Sequence, residues 1–146
     1  VPNFTPADQQ FVIGKAVMMN EGKDVSIIAT GHLVYPALEA AYELEQKGIS
    51  AEVINIHTIK PLDKEAILKS VAKTRCVVTA EEHLMNGGLG DSVCQLLCRQ
   101  LPTPVEMVAV DDHFGESGKP FELMAKFGLD KEHIVIAAQK AIQRKA

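Results

Sequence analysis

The stretch 76–93, with the sequence CVVTAEEHLMNGGLGDSV, constrains the fold of this chain more than any other. It begins with a short run of apolar and β-branched residues, which suits one buried strand. The polar residues EEH at 81–83 follow at once, and a glycine cluster then precedes leucine and valine residues at helical spacing. This order predicts a strand over 76–80, a polar loop, and a helix over 88–100. In open α/β sheets such a loop lies at the carboxyl edge of the sheet, where ligands or partners bind.

The glycine cluster, formed by Gly87, Gly88 and Gly90, allows two interpretations. Glycines at a strand-to-helix turn can bring backbone N–H groups to the helix start, where the helix dipole favours an anion. However, the spacing GGxG is shorter than the dinucleotide-binding fingerprint, so the motif is a weak signal for a dinucleotide. The spacing therefore favours the plainer interpretation, in which the glycines only allow strand and helix to pack closely. Nucleotide or phosphate binding stays open as the alternative.

The composition narrows the class of protein. A chain of 146 residues that is 47% hydrophobic and 23% charged suits one globular domain with a hydrophobic core. The net charge of −4, with both signs interspersed, argues against a nucleic-acid surface. No apolar run approaches the roughly 18 residues of a membrane span, and the layout of a signal peptide is missing. We therefore predict partners other than nucleic acid and membranes.

The three cysteines form an odd set without CxxC spacing: Cys76, Cys94 and Cys98. Such a set fits reduced thiols in a cytoplasmic protein better than a disulfide framework. Cys94 and Cys98 lie one helical turn apart and could share a metal ion. Burial as small apolar side chains is nevertheless the more common fate of cysteine.

The chain begins with Val1 rather than Met, and its first residues are polar and interrupted by prolines. We interpret residues 1–12 as the remnant of a linker from a preceding domain. Residues 13–146 then form the domain itself. On this interpretation the chain is a domain of a larger protein, or a processed or trimmed form of one.

Strand and helix patterns alternate through the rest of the chain. Strands are predicted at 14–19, 25–30, 51–56, 76–80 and 105–110, and helices from 34 to 48, from Asp63, over 88–100, from Pro120 to Gly128 and from Asp130 to about 141. The connection between the first two strands is too short for a crossover, so the first strand should run against the second. Four strands that alternate with helices behind one reversed strand predict a three-layer α/β/α sandwich with a mostly parallel sheet.

Four of the five histidines directly follow the predicted parallel strands, so they should meet at one edge of the sheet. Carboxylates lie beside them in the sequence. A metal site would need closer ligand spacing, and a general acid–base site would need an accompanying nucleophile. A polar interface to another domain or subunit needs only that the edge be covered, and we favour it. The candidate interface and loop residues are Gly31, His32, His57, Glu81, Glu82, His83, Gly87, Gly88, Gly90, Asp112 and His113.

Three strings carry a resemblance to a known family: VINIHTIKPLD at 53–63, VVTAEEH with GGLG within 77–90, and FGESGKP with KFGLD within 114–130. On these motifs the chain resembles the C-terminal domain of the transketolase family. The same domain closes deoxyxylulose phosphate synthase and the beta-type chains of the 2-oxo acid dehydrogenases. The SGKP and FGLD strings favour transketolase itself. The resemblance implies a five-stranded mixed sheet of order 1-3-2-4-5 with the first strand antiparallel.

The resemblance also implies how function is divided within the enzyme. Complete members use thiamine diphosphate and a divalent cation, Mg, to move a two-carbon ketol unit between sugar phosphates. A GDG-to-Asn motif and a glutamate in the other domains hold and activate the cofactor, whereas this chain has only Gly90-Asp91-Ser92. We therefore expect the chain to bind no cofactor, to be inactive alone, and to serve packing with the remaining transketolase domains or subunit in a homodimer. A stand-alone binding module and a docking surface for another enzyme are the alternatives.

Overall fold

The computed structural model describes residues 14–57, 61–84, 88–110 and 130–145. Its five strands are β1 (Val17–Asn20), β2 (Val25–Ala29), β3 (Ala51–Asn55), β4 (Val77–Leu84) and β5 (Val105–Val110). A 3₁₀ helix over Gly31–Leu33 leads into the first of four α-helices, which are α1 (Val34–Gln46), α2 (Lys64–Thr74), α3 (Leu89–Gln100) and α4 (Lys131–Gln143). The linker predicted at 1–12 and the short helix predicted at 120–128 lie outside the described residues. Within the described ranges, no helix is long and apolar enough to cross a bilayer.

The strands form one mixed sheet in the order β1-β3-β2-β4-β5. β1 pairs antiparallel with β3, and the other three pairs are parallel. This confirms the predicted fold class, including the reversed first strand. β1 runs against β2 as predicted, although β3 lies between them, because the short β1–β2 connection crosses the beginning of β3. The crossing is close: a Cβ atom on Gly22 would lie 2.3 Å from the carbonyl carbon of Ala51.

Helices cover both faces of the sheet and give it two hydrophobic cores. On one face α1 and α4 pack against β2 and β4, with Leu44 and Ile134 fully buried. On the other face α2 and α3 pack through Ile67 and Leu97. The side chains of β2 alternate between the two cores, as the two-residue period of a strand requires. The arrangement is the predicted three-layer α/β/α sandwich.

Local capping signals in the sequence set two of the helix starts. The Asp63 carboxylate accepts hydrogen bonds from Ala66 N at 3.2 Å and Ala16 N at 2.7 Å, so it caps α2 and also ties down the residue before β1. Asp130 caps α4 by accepting from His133 N at 3.0 Å. The sequence predicted that these two helices begin at Asp63 and Asp130, where an acceptor side chain satisfies an otherwise unpaired helical N–H group.

Glu52 is a buried charge at the amino edge of the sheet, where only 1% of its surface is exposed. Its Oε1 accepts hydrogen bonds from Lys73 Nζ at 2.5 Å and from Gly22 N at 3.1 Å. Burial raises the pKa of the Glu52 carboxyl, but hydrogen bonds from Lys73, Ser70 and Gly22 outweigh it and lower the pKa below its ordinary value. The ionised form therefore stabilises the fold.

We expect this group to contribute to acid unfolding. Because its pKa is lower in the folded chain than in the unfolded chain, its stabilisation is present above about pH 4.5 and is lost as the pH falls through the folded pKa. Glu52→Gln should therefore be less stable than the parent at neutral pH and should lose less of its free energy of unfolding between about pH 5 and pH 3. Urea unfolding at several pH values measures how the free energy of unfolding of each protein changes with pH. An equal change in the parent and in Glu52→Gln would contradict a stabilising role for the ionised Glu52 carboxylate.

Candidate functional site at the carboxyl edge of the sheet

β4 continues further toward the carboxyl edge than the sequence indicated. The strand was predicted to end at Ala80, but it extends to Leu84, so Glu81, Glu82 and His83 lie within it rather than in a loop. The strand is longer because β4 stays paired with β5 as far as Leu84, which lies opposite Val110 of β5. The register shifts between Ala80 and Leu84, as it does at a β-bulge, and this irregular part of the strand contains the polar residues.

Glu81 is fully buried, and its carboxylate caps helix α3. Oε1 accepts a hydrogen bond from Leu89 N at 2.7 Å, and Oε2 accepts one from Gly90 N at 2.6 Å. The N-cap residue of α3 is Gly88, which has no side chain to provide a cap. A strand residue thus satisfies N–H groups of the first helical turn, where the helix dipole favours a negative charge. The negative charge at the glycine-rich turn is thus supplied by the chain's own Glu81 carboxylate.

The close packing predicted for the glycine cluster is seen at Gly90. A Cβ atom there would lie 2.3 Å from Met107 Cε, 3.1 Å from Thr79 Oγ1 and 3.3 Å from Glu81 Oε2. Gly88 is buried, and its φ of −98° is not in the left-handed region. Gly87 lies outside the described residues. The geometry therefore supports the plainer interpretation of the cluster, in which a glycine lets helix and strand approach one another.

Glu82 contacts the turn that follows β2. One oxygen of its carboxylate lies 3.2 Å from His32 Nδ1, and the other accepts from His32 N at 3.2 Å. The preceding residue, Gly31, has φ +60°, and a Cβ atom there would lie 2.7 Å from Glu82 Oε1. The side chains of His32 and Glu82 are 57% and 35% exposed. Adjacent glutamates on β4 therefore have different roles, since Glu81 is buried in the fold and Glu82 reaches solvent at the edge.

The remaining candidates are only partly located. His57 is exposed beyond the end of β3, and β4 includes the backbone of His83. Asp112 and His113 lie outside the described residues. In the described ranges, no group of three or more His, Cys, Asp or Glu side chains is arranged to hold a metal ion. Among the predicted histidines and carboxylates of this edge, His32 and Glu82 are in contact with each other.

Two residues that the sequence did not indicate help to form this site. They are Thr79 on β4 and Met107 on β5, whose side chains occupy the positions that a side chain at residue 90 would contact. Thr79 Oγ1 is buried without a hydrogen-bond partner among the described residues. A signal was present in the sequence, because Thr79 and Glu81 are two apart on a central strand and so share one face.

Fold and site together define an α/β domain with a mixed five-stranded sheet and a strand-to-helix turn capped by its own carboxylate. Comparison with known proteins places this domain in a family. The family model for "Transketolase, C-terminal domain" matches residues 14–134. The chain belongs to the transketolase C-terminal domain family, as its sequence motifs indicated.

Relatives and a solved structure agree with this assignment. The chain is 48% identical over 138 residues to the 6-deoxy-6-sulfo-D-fructose transketolase subunit of a Clostridium species, covering 94% of this chain and 43% of that protein. It is 41% identical over 145 residues to 1-deoxy-D-xylulose-5-phosphate synthase 1 of Geobacter sulfurreducens, covering 96% and 23%. A solved structure described as a split-gene transketolase, inactive beta4 tetramer, has a TM-score of 0.96 and 44% identity, covering 100% of this chain and 48% of that one. This chain therefore spans less than half the length of each of these proteins.

Proposed function

We propose that the chain is the C-terminal domain of a thiamine diphosphate-dependent transketolase that transfers a two-carbon ketol unit between sugar phosphates. Within that enzyme its task is to pack against the remaining domains and to support assembly. The observation that carries this assignment of roles is the hydrogen bonding of Glu81 to Leu89 N and Gly90 N. Because these helical N–H groups are already bonded, the carboxyl edge offers shape and polar contacts rather than a ready anion site.

The outward part of the edge is suited to a partner surface. His32 and Glu82 are linked to each other and remain accessible, and Gly31 fixes the turn beneath them. We propose that these residues, together with His57 and His83, meet the rest of the enzyme. We include Gly87, Asp112 and His113 in this surface on the basis of their positions in the sequence alone.

Thiamine diphosphate and Mg belong to the complete enzyme in this proposal, and the described residues do not fit them. Gly90 and Asp91, the part of the sequence nearest to a diphosphate motif, lie in the first turn of α3. The backbone N–H of Gly90 is bonded to Glu81, so a diphosphate would have to displace a buried carboxylate. The same contact counts against the alternative of a stand-alone nucleotide- or phosphate-binding module.

The partner is proposed to be the remaining transketolase domains, in the same polypeptide or in a separate subunit, within a homodimer and in the cytoplasm. Two matched relatives have names that describe them as transketolase subunits, and the split-gene transketolase structure is described as a tetramer. These names support an arrangement in which several chains complete the enzyme.

We expect the 146-residue chain alone to show no ketol transfer and no binding of thiamine diphosphate with Mg²⁺. Joined or mixed with the remaining transketolase domains from the same organism, it should complete an active enzyme, because the cofactor supplies the chemistry that the whole assembly uses. Isothermal titration calorimetry on the chain and a coupled sugar-phosphate assay on the assembly test both parts. Micromolar cofactor binding by the chain alone would contradict the division of roles.

A further inference from the structure

The two cysteines of α3 are a feature that the proposed function leaves unused. Cys98 is exposed and Cys94 is partly buried, whereas Cys76 is buried and its thiol donates to Asp24 O at 3.3 Å. Burial, the more common fate expected for Cys94 and Cys98, is therefore wrong for Cys98. We propose that Cys94 and Cys98 form a two-thiol site that binds a thiophilic atom through both sulfur atoms. The class of ligand that fits best is a trivalent arsenic compound with one organic substituent. This inference goes beyond the proposed function.

Helix geometry favours a bridged pair over a disulfide. Side chains four residues apart on a helix have Cβ atoms about 5–6 Å apart. A disulfide needs Cβ atoms about 3.5–4.5 Å apart, so a direct bond between Cys94 and Cys98 would distort α3. An atom bonded to both sulfurs adds length to the link and leaves the helix intact.

The surroundings of Cys94 and Cys98 also determine which kind of ligand the two thiols can bind. In the described part of the chain, no third ligand completes a metal-binding group, so the tetrahedral coordination that zinc prefers is not available here. Burial raises the pKa of the Cys94 thiol, and the negative charge of Asp91 and the neighbouring Cys98 raise it further. At neutral pH Cys94 is therefore a protonated thiol, and a centre that condenses with neutral thiols has an advantage over one that needs thiolates in advance.

A trivalent arsenous oxide reacts in this way. Two S–H bonds and the arsenic–oxygen bonds break, two As–S bonds form, and the two protons leave with the oxygen as one water molecule. The oxidation state of arsenic does not change, so the step needs neither an oxidant nor a reductant. The product holds both sulfurs through one arsenic atom.

The test uses the full, reduced chain and phenylarsine oxide, read by intact-protein mass spectrometry. We expect one phenylarsenic group per chain, attached with loss of one water, that a small dithiol removes and excess glutathione does not. Cys94→Ser and Cys98→Ser should each lose this glutathione-resistant adduct. Cys76→Ala, which removes the buried thiol, should keep it if the variant folds.

A second measurement does not depend on the folding of any variant. Proteolysis of the arsenical-treated parent should give a peptide in which both Cys94 and Cys98 are protected from alkylation. Retention of the resistant adduct in Cys98→Ser would overturn the proposal. So would free alkylation of both cysteines in the treated parent, since it would show that accessible thiols had failed to bind the arsenical.

Discussion

Replacing Glu81 by Ala should lower the free energy of unfolding by about 3 kcal/mol. This loss should be larger than the loss caused by replacing the adjacent Glu82. The substitution leaves the N–H groups of Leu89 and Gly90 without their acceptor at a buried helix start. Each buried donor left unsatisfied costs about 1–3 kcal/mol, and the helix also loses a favourable charge at its positive end. The release of a buried carboxylate offsets only part of this cost.

Glu82→Ala is the matched control, because it removes the same side chain from the next position of the same strand. Its contact with His32 is partly exposed to solvent, and such pairs contribute about 0–1 kcal/mol. Urea unfolding followed by circular dichroism measures both variants. Similar losses for the two variants would contradict the distinction between a buried capping carboxylate and an edge contact.

Gly90→Val should also destabilise the chain strongly, by about 3 kcal/mol, through overpacking. The Cβ atom alone would collide with Met107 Cε and would lie unusually close to Thr79 Oγ1 and Glu81 Oε2. The Met107 side chain is flexible and can move, but Thr79 is short and the buried Glu81 carboxylate is held by two hydrogen bonds. The variant should therefore also disturb the hydrogen bond from Gly90 N to Glu81.

Gly48→Ala serves as the comparison, since a Cβ atom there meets nothing within 4 Å and only the φ of +81° opposes it. That backbone cost is about 1 kcal/mol. Thermal unfolding of the two variants separates collision from backbone strain. A Gly90→Val protein as stable as Gly48→Ala would show that α3 can move away from β4, and it would contradict the close packing of α3 on β4.

Features that depend on local sequence were predictable. Asp63 and Asp130 cap helices because an acceptor side chain bonds to an N–H group three residues ahead, and that relation is visible in the sequence itself. The bounds of β5 were predicted as the structure has them, since its apolar run ends where the sequence becomes polar. The order of the strands came from the resemblance to the transketolase family rather than from periodicity.

Features that depend on distant contacts were not predictable from local patterns. The sequence EEH suggests a loop, but pairing with β5 keeps these residues in a strand. Nothing in the order of residues shows that Glu81 caps a helix that begins eight residues later, while Glu82 bonds to a turn fifty residues earlier. Adjacent residues of one strand point to opposite faces, and only the assembled sheet shows what lies on each face.

We propose that the carboxyl edge around His32 and Glu82 is the surface that meets the rest of the enzyme. Hydrogen exchange measured by mass spectrometry, on the isolated chain and on the complete assembly, tests it most directly. We expect slower exchange in the assembly for peptides that include Gly31–Leu33 and the end of β4, with little change at the exposed end of α1 near Lys47. Unchanged exchange at that edge in an active assembly, with protection elsewhere on the domain, would contradict it.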